Sequence, residues 1–235
     1  MLQTNKLFFT TILILLLVTM TALMVGCRED AEPLKPNPAR PDTTHFVRVN
    51  YIELSKIGMI SKFRSGEGHD YSDDFESCRS MKHYFKPKDD VDWSSIKVFS
   101  PVAGVITRLF EEWAGTQIQI TSTDHPEYTF VLFHVKTTQP FAEGNSITEG
   151  QFLGTHIGTQ TWSDIAVRKN IGGKSKLVSF IELVHDSVFQ EYVSRGMASR
   201  NDGIIPKEMR DADPLLCNGY TFSSKGKLSN WIVLK

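Results

Sequence analysis

Short apolar segments, separated by glycine, proline and polar turns, occupy residues 98–183. Residues 116–121 alternate polar and apolar side chains, and residues 128–135 form a nearly continuous apolar run. Alternation with a period of two is typical of a strand with one buried face, and a short apolar run is typical of a strand buried on both faces. Closely spaced strands with few helices predict a mainly β fold, either an antiparallel sandwich or a hybrid barrel.

The same sequence patterns predict the remaining secondary-structure elements. Residues 98–106 read as a strand, a turn and a second strand, and Gly144 and Gly150 mark a tight hairpin within residues 143–154. We expect further strands at residues 46–54, 177–183 and 231–234, and a helix at residues 185–195. The helix and the segment after it predict a short helical C-terminal extension on a β domain.

Charge and cysteine content exclude two classes of protein. The chain has 26 Lys and Arg against 27 Asp and Glu, a net charge of −1, so it lacks the basic excess of a nucleic-acid-binding surface. Three cysteines in 235 residues are too few for a scaffold built from disulfides. We therefore expect no nucleic-acid partner and a core held by apolar packing.

The N-terminus indicates a location. Lys6 precedes an almost wholly apolar run at residues 7–25, and Gly26 is followed by Cys27. This pattern resembles a bacterial lipoprotein signal, which implies removal of residues 1–26, a lipid on Cys27 and an extracytoplasmic position in the cell envelope. A transmembrane anchor and an ordinary cleaved signal peptide are the two alternatives.

The segment that follows is a tether. Residues 27–44 contain four prolines, several charges and almost no apolar side chain, so they cannot bury a core. We therefore predict a β domain at residues 45–200 and an extension packed on it at residues 201–235. Cys78 and Cys217 then remain, and they either pair outside the cytoplasm or stay as two buried thiols.

Two histidines lie in sequence surroundings that suit metal binding or proton transfer. His69 and Asp73 are spaced H-x-x-x-D in a glycine-bounded loop, and imidazole nitrogen with carboxylate oxygen is a donor pair suited to Zn²⁺. His134 lies near the end of a predicted buried strand, where an imidazole can shuttle protons. Each histidine also has a purely structural alternative. His69 would then be a loop histidine hydrogen-bonded to a nearby acid, and His134 a strand-end histidine whose hydrogen bonds are satisfied within the fold.

The order of these motifs resembles a known family. His69 and Asp73, then the strand pair at residues 98–106, His134, and the glycine-bounded segment with Gln151 are arranged as in the M23 (LytM/lysostaphin-like) metallopeptidases. The resemblance covers about residues 66–183. It implies a barrel-sandwich hybrid fold, zinc bound by His69 and Asp73, and a catalytic role for His134.

The sequence departs from the family at the third zinc ligand. The family has an H-x-H-F-E strand, but residues 177–183, which we align with it, have no histidine. A catalytic zinc site usually needs three protein ligands. His83 is the candidate substitute, because it lies in an insertion directly after the Asp73 loop.

Two functions therefore stay open. One is a membrane-anchored lipoprotein whose inactive M23-like domain binds peptidoglycan or an envelope protein. The other is a zinc endopeptidase that cuts peptide cross-links in peptidoglycan, with His83 completing the site.

Overall fold

A computed structural model describes residues 44–235 of the chain. The predicted signal peptide, the predicted lipidation site at Cys27 and most of the predicted tether lie outside the described residues. Within them the chain is mainly β, and the ladders between named strands are antiparallel, which confirms the predicted fold class.

Thirteen strands account for most of the described secondary structure. They are β1 (Ile57–Ser61), β2 (His83–Pro87), β3 (Lys97–Phe99), β4 (Gly104–Glu112), β5 (Gly115–Ser122), β6 (Tyr128–Thr137), β7 (Ser146–Ile147), β8 (Phe152–His156), β9 (Ser163–Ile171), β10 (Lys174–Val178), β11 (Leu216–Asn218), β12 (Thr221–Ser224) and β13 (Trp231–Val233).

Eleven of these strands form one sheet. Its main path runs β13-β1-β2-β9-β6-β5-β4-β7, while β10 pairs with β9, and β8 pairs with both β3 and β6. The strands β11 and β12 form a separate pair. The inner strands β6 and β9 are neighbours, so side chains from both can meet over one face of the sheet.

Strand β6 is buried on both of its faces. Phe130 and Leu132 belong to the larger hydrophobic cluster, whereas Val131 and Phe133 belong to a smaller cluster. Alternate side chains of a strand point to opposite faces. The apolar run at residues 128–135 is therefore a central strand with a core on each side, as the sequence predicts.

Helices are few and short. The α-helices are α1 (Phe180–Leu183), α2 (Asp186–Val193) and α3 (Lys207–Ala212), and 3₁₀ turns lie at Leu54–Lys56, Trp93–Ser95 and Arg200–Gly203. The helix predicted at residues 185–195 is α2, with His185 as its N-cap residue. Between residues 44 and 235, no helix is long and apolar enough to cross a bilayer.

Two predicted strands are wrong. Residues 46–54 form only isolated bridges, Val47 to Val184 and Ile52 to Val98, because their apolar side chains enter the core from a segment that has no continuous partner strand. Residues 177–183 finish β10 and then form α1, in which Phe180 and Ile181 are buried. A short apolar run does not distinguish a strand from a buried helical turn.

The predicted hairpin at residues 143–154 is also wrong. Strand β7 pairs with β4, whereas β8 pairs with β3 and β6, so the two strands around the turn do not pair with each other. Gly144 and Gly150 both have a positive φ, +88° and +75°. Glycine adopts this backbone conformation without strain, which explains why glycine occupies both positions. The turn carries the chain between two parts of the sheet.

The C-terminal segment is joined to the domain by strand pairing, by a disulfide and by a backbone hydrogen bond. Strand β13 pairs with β1, and Cys78 forms a disulfide with Cys217 of β11 across a sequence separation of 139 residues. In addition, the backbone N–H of Asp70 donates to the carbonyl of Tyr220 at 2.7 Å. The β11–β12 hairpin thereby supports the loop that contains His69.

Candidate functional site: a cleft with a buried ammonium

A cleft of about 770 Å³ opens beside the ends of β2, β6 and β9. His69 and His134 both line it, so the structure brings together two of the residues that the sequence selects. Aromatic rings make up much of the wall, namely Tyr71, Tyr84, Trp93, Trp113, Phe133 and Trp162.

An irregularity in β6 turns His134 into the cleft. The pairing with β5 passes from Thr116 opposite Val135 to Ile118 opposite Leu132, so β6 contains one extra residue there. This is a β-bulge, a feature that redirects side chains. His134 has a φ of 63°, rare for a residue other than glycine, and both Phe133 and His134 line the cleft as a result.

Both ring nitrogens of His134 are engaged. Nδ1 lies 3.0 Å from the carbonyl oxygen of Ala114 and must donate to it, while Nε2 lies 3.1 Å from Oδ1 of Asp164. Burial lowers the pKa of His134, but the hydrogen bond and charge of Asp164, with the Ala114 carbonyl, outweigh burial and raise it. When protonated, the ring held in this way has no lone pair with which to act as a general base.

The floor of the cleft is an ion pair that the sequence analysis missed. Lys82 and Asp164 are 2% and 0% exposed, and their ammonium and carboxylate groups are in direct contact. Burial disfavours both charges, but each charge stabilises the other, so the pKa of Lys82 is raised and that of Asp164 is lowered. The floor is therefore a charged, internally compensated pair.

Three aromatic rings surround the ammonium of Lys82. Its Nζ lies 4.7, 5.2 and 4.1 Å from the ring centroids of Tyr71, Tyr84 and Phe133. Rings within about 6 Å attract a cation through their negative faces. The cage and Asp164 together hold this cation in a buried position.

His69 is held against the same ammonium. Its Nδ1 lies 2.9 Å from the carbonyl oxygen of Asp70 and donates to it, so in the neutral ring Nε2 is the acceptor. Nζ of Lys82 lies 3.3 Å from that Nε2. Burial, followed by the charge of Lys82, lowers the pKa of His69. Because Nδ1 carries the proton, Nε2 is the nitrogen of His69 that could bind zinc, and it accepts a hydrogen bond from Lys82.

Gly68 permits this approach. Its φ is +68°, and a Cβ atom there would lie 2.1 Å from the Tyr84 hydroxyl. A side chain at residue 68 would therefore displace either Tyr84 or the His69 loop.

Asp73, the second predicted zinc ligand, is used by the backbone. Its Oδ1 accepts from the N–H groups of Phe75 and Glu76 at 2.9 and 3.0 Å, and its Oδ2 accepts from the N–H of Leu177 at 2.7 Å. These bonds close the loop and fasten it to β10. In this structure Asp73, predicted as a zinc ligand, therefore has a structural role.

His83, the predicted substitute ligand, lies outside the cleft. Its Nδ1 donates to the Ser61 carbonyl at 2.9 Å, and its Nε2 accepts from the Ser179 hydroxyl at 2.9 Å. Burial lowers the pKa of His83 to about 4. Lys82 and Tyr84, its neighbours in sequence, both line the cleft, so the alternation of side chains directs His83 to the other face.

The strand that lies beneath the cleft next to β6 is not the segment that the sequence alignment with the family suggests. Strand β9, which pairs with β6, supplies Asp164 and Ala166 two residues apart on the face of the smaller cluster. Residues 177–183, which we aligned with the H-x-H-F-E strand of the family, pair only with the distal half of β9 and then turn into α1.

These donors do not fit a zinc ion. Zinc ligands must converge to about 2.0–2.2 Å from one point, and three protein ligands are usual in a catalytic site. His69 meets Lys82, His134 meets Asp164, and Asp73 meets backbone N–H groups. No group of three or more His, Cys, Asp or Glu side chains suited to a metal occurs in residues 44–235.

Comparison with known proteins gives similarities in structure alone. No protein-family model and no curated protein sequence matches the chain. Similar solved structures include one named for a glycyl-glycine endopeptidase, LytM, from Ruminococcus gnavus ATCC 29149, with a TM-score of 0.34 and 16% identity over 43% of each chain.

Two further structures are similar. Lysostaphin has a TM-score of 0.32 and 12% identity over 50% of this chain and 52% of its own. CbpA from L. salivarius REN has a TM-score of 0.26 and 20% identity over 32% of this chain and 49% of its own.

The similar solved structures thus include LytM and lysostaphin, the two proteins for which the family that the sequence resembles is named. The chain spans about half or less of the length of each of these structures. Because every TM-score is below 0.5, we draw no activity from these similarities and use the residues of this chain instead.

The buried pair makes a quantitative prediction. We expect Lys82→Met to lower the free energy of unfolding by about 3–5 kcal/mol, because it leaves the Asp164 carboxylate buried without its main partner. The double variant Lys82→Met with Asp164→Asn should lose clearly less than the sum of the two single variants, as urea denaturation would measure.

A surface pair provides the control for this cycle. Lys207 and Asp211 are 47% and 42% exposed, so Lys207→Met should change stability by less than about 1 kcal/mol. Additive effects of Lys82→Met and Asp164→Asn, within about 0.5 kcal/mol, would contradict an energetically coupled floor.

The environment of His134 predicts its titration. Because its folded pKa is raised, the charged ring stabilises the fold fully below its unfolded pKa, about 6.5, and this contribution is lost as pH rises through the folded value. NMR should therefore show His134 titrating above its usual range, and Asp164→Asn should lower that pKa. His83 and His156, whose pKa burial lowers to about 4, are internal controls. Titration of His134 below the usual range would refute the assigned hydrogen bonds.

Proposed function

We propose that the domain is a non-hydrolytic binding or scaffolding domain of the bacterial cell envelope. One observation carries this proposal: the ammonium of Lys82 contacts Asp164 and lies 3.3 Å from the His69 nitrogen that zinc would need. A metal ion there would have to displace a buried, paired cation.

The chemistry of an ammonium supports the loss of hydrolysis. Catalytic zinc activates a bound water by lowering its pKa and polarises a carbonyl as a Lewis acid. A lysine ammonium can donate hydrogen bonds, but it has no open coordination position for water. His134, the other predicted catalytic group, carries a proton on each ring nitrogen when it bonds Ala114 and Asp164.

Loss of hydrolysis leaves the cleft itself intact. Its volume of about 770 Å³ lies in the range of ligand-binding clefts, and aromatic side chains with a few polar groups form its wall. Peptidoglycan and another envelope protein are the partners that the sequence analysis favours, and we retain peptidoglycan as the ligand to test first.

The decisive experiment measures metal, hydrolysis and binding on one preparation. Full-length protein in detergent, incubated with Zn²⁺ and washed, should contain far less than one zinc per chain by elemental mass spectrometry. It should release no new amino termini from purified sacculi, yet it should sediment with them.

The possible results distinguish the non-hydrolytic proposal from the alternatives. Near-stoichiometric zinc that disappears in His69→Ala, or new amino termini from the sacculi, would overturn the non-hydrolytic proposal and favour the zinc endopeptidase. Failure to sediment with sacculi would overturn the choice of peptidoglycan as the ligand.

We also propose that a lipid on Cys27 holds the chain on a membrane, on the strength of the residues that precede it in sequence. Firm anchoring takes two or more acyl chains, or one chain with a second signal. We expect wild-type protein in the membrane fraction of bacterial cells and expect Cys27→Ser to lose its lipid, as mass spectrometry of the purified protein would detect. A Cys27 without lipid in the wild-type protein would refute this part of the proposal.

A further inference from the structure

The aromatic side chains of the cleft fall into two groups. Tyr71, Tyr84 and Phe133 surround the ammonium of Lys82, so their ring faces already have a partner. Three of the four tryptophans of the chain, Trp93, Trp113 and Trp162, also line the cleft. We call these three residues the tryptophan rim.

The tryptophan rim combines exposure with support. Trp113 is 77% exposed. Trp162 is partly exposed and is fixed by an edge-on contact with Trp231, with ring centroids 5.0 Å apart at 89°. A large ring held in place but left open to solvent loses little conformational entropy when a ligand covers it.

Polar side chains lie beside the tryptophan rim. Glu112 and Gln117 line the cleft and are joined by a hydrogen bond of 2.9 Å, while Thr159, Gln160 and Thr161 line it as a consecutive loop. Carboxylate, amide and hydroxyl groups are partners for ligand hydroxyl groups. The wall therefore offers ring faces together with hydrogen-bonding groups.

The charges of the cleft favour an uncharged ligand. Apart from its two histidines, the charged side chains that line it among the described residues are Lys82 and Glu112. Asp164, beneath Lys82, supplies one negative charge to both Lys82 and the protonated form of His134, and Glu112 is the only carboxylate among the described residues of the wall. With His134 protonated, these two positive and two negative charges balance, so the cleft has no net charge with which to attract a strongly acidic or a strongly basic ligand.

We propose that the cleft binds a neutral saccharide through the tryptophan rim. A pyranose ring presents a flat face of C–H groups that packs on an aromatic ring, and its equatorial hydroxyls point sideways to polar groups. This inference rests on the proposed binding function and specifies it: in peptidoglycan the cleft recognises the glycan strand and not the peptide cross-link.

The test uses a defined saccharide. Saturation-transfer NMR with triacetylchitotriose and full-length protein in detergent should detect binding. Trp113→Ala should raise the dissociation constant about tenfold, the consequence of losing about 1.4 kcal/mol, whereas Trp113→Phe should retain part of the affinity. Because Trp113 is mostly exposed, neither substitution should disturb the fold.

The matched control is Tyr220→Ala. Tyr220 is 81% exposed and does not line the cleft, so its loss should leave the dissociation constant unchanged. An unchanged constant in Trp113→Ala, or the absence of saccharide binding, would overturn the inference.

A competition experiment separates this inference from the proposed function. Triacetylchitotriose should displace the chain from sacculi, and a sugar-free stem peptide should not. Displacement by the peptide alone would overturn the saccharide while leaving peptidoglycan binding in place. Loss of sacculus binding altogether would overturn the proposed ligand itself.

Discussion

The ion pair between Lys82 and Asp164 determines how the rest of the cleft is arranged. Two buried charges are tolerated only when they compensate each other and have further partners. Asp164 gains His134, and Lys82 gains His69 and a cage of three rings. The histidines of the cleft are therefore partners of a fixed pair, and their protonation states follow from it.

This dependence explains why the pKa values of two histidines in one cleft shift in opposite directions. Burial and the ammonium of Lys82 lower the pKa of His69, whereas the carboxylate of Asp164 outweighs burial and raises the pKa of His134. A metal site needs neutral imidazoles with free lone pairs. The charge pattern around Lys82 and Asp164 uses the lone pair of one ring and favours the protonated form of the other.

Sequence patterns could predict the mainly β class, the central position of β6 and the meeting of His69 with His134, because these depend on hydrophobic periodicity and motif order. They could not predict Asp73 and His83 correctly, since the direction of a side chain depends on loop closure and strand register. Lys82 and Asp164 were missed for a related reason. Each lies at the start of an apolar strand, and only the pairing of β2 with β9 brings them together. The bulge at His134 left no signal in the alternation of β6.

Under the proposed function, a cleft floor made of a lysine ammonium differs in use from one that holds a metal ion. A bound metal can be lost, and its affinity depends on pH, but an ammonium carried by the chain is always present. The cleft floor is thus permanent, and under the proposed function the exposed rings and polar groups above it bind the ligand. Contacts of this type are individually weak. Under the proposed anchoring, a membrane tether would confine the domain near its ligand, and the raised effective concentration would offset weak binding at a single site.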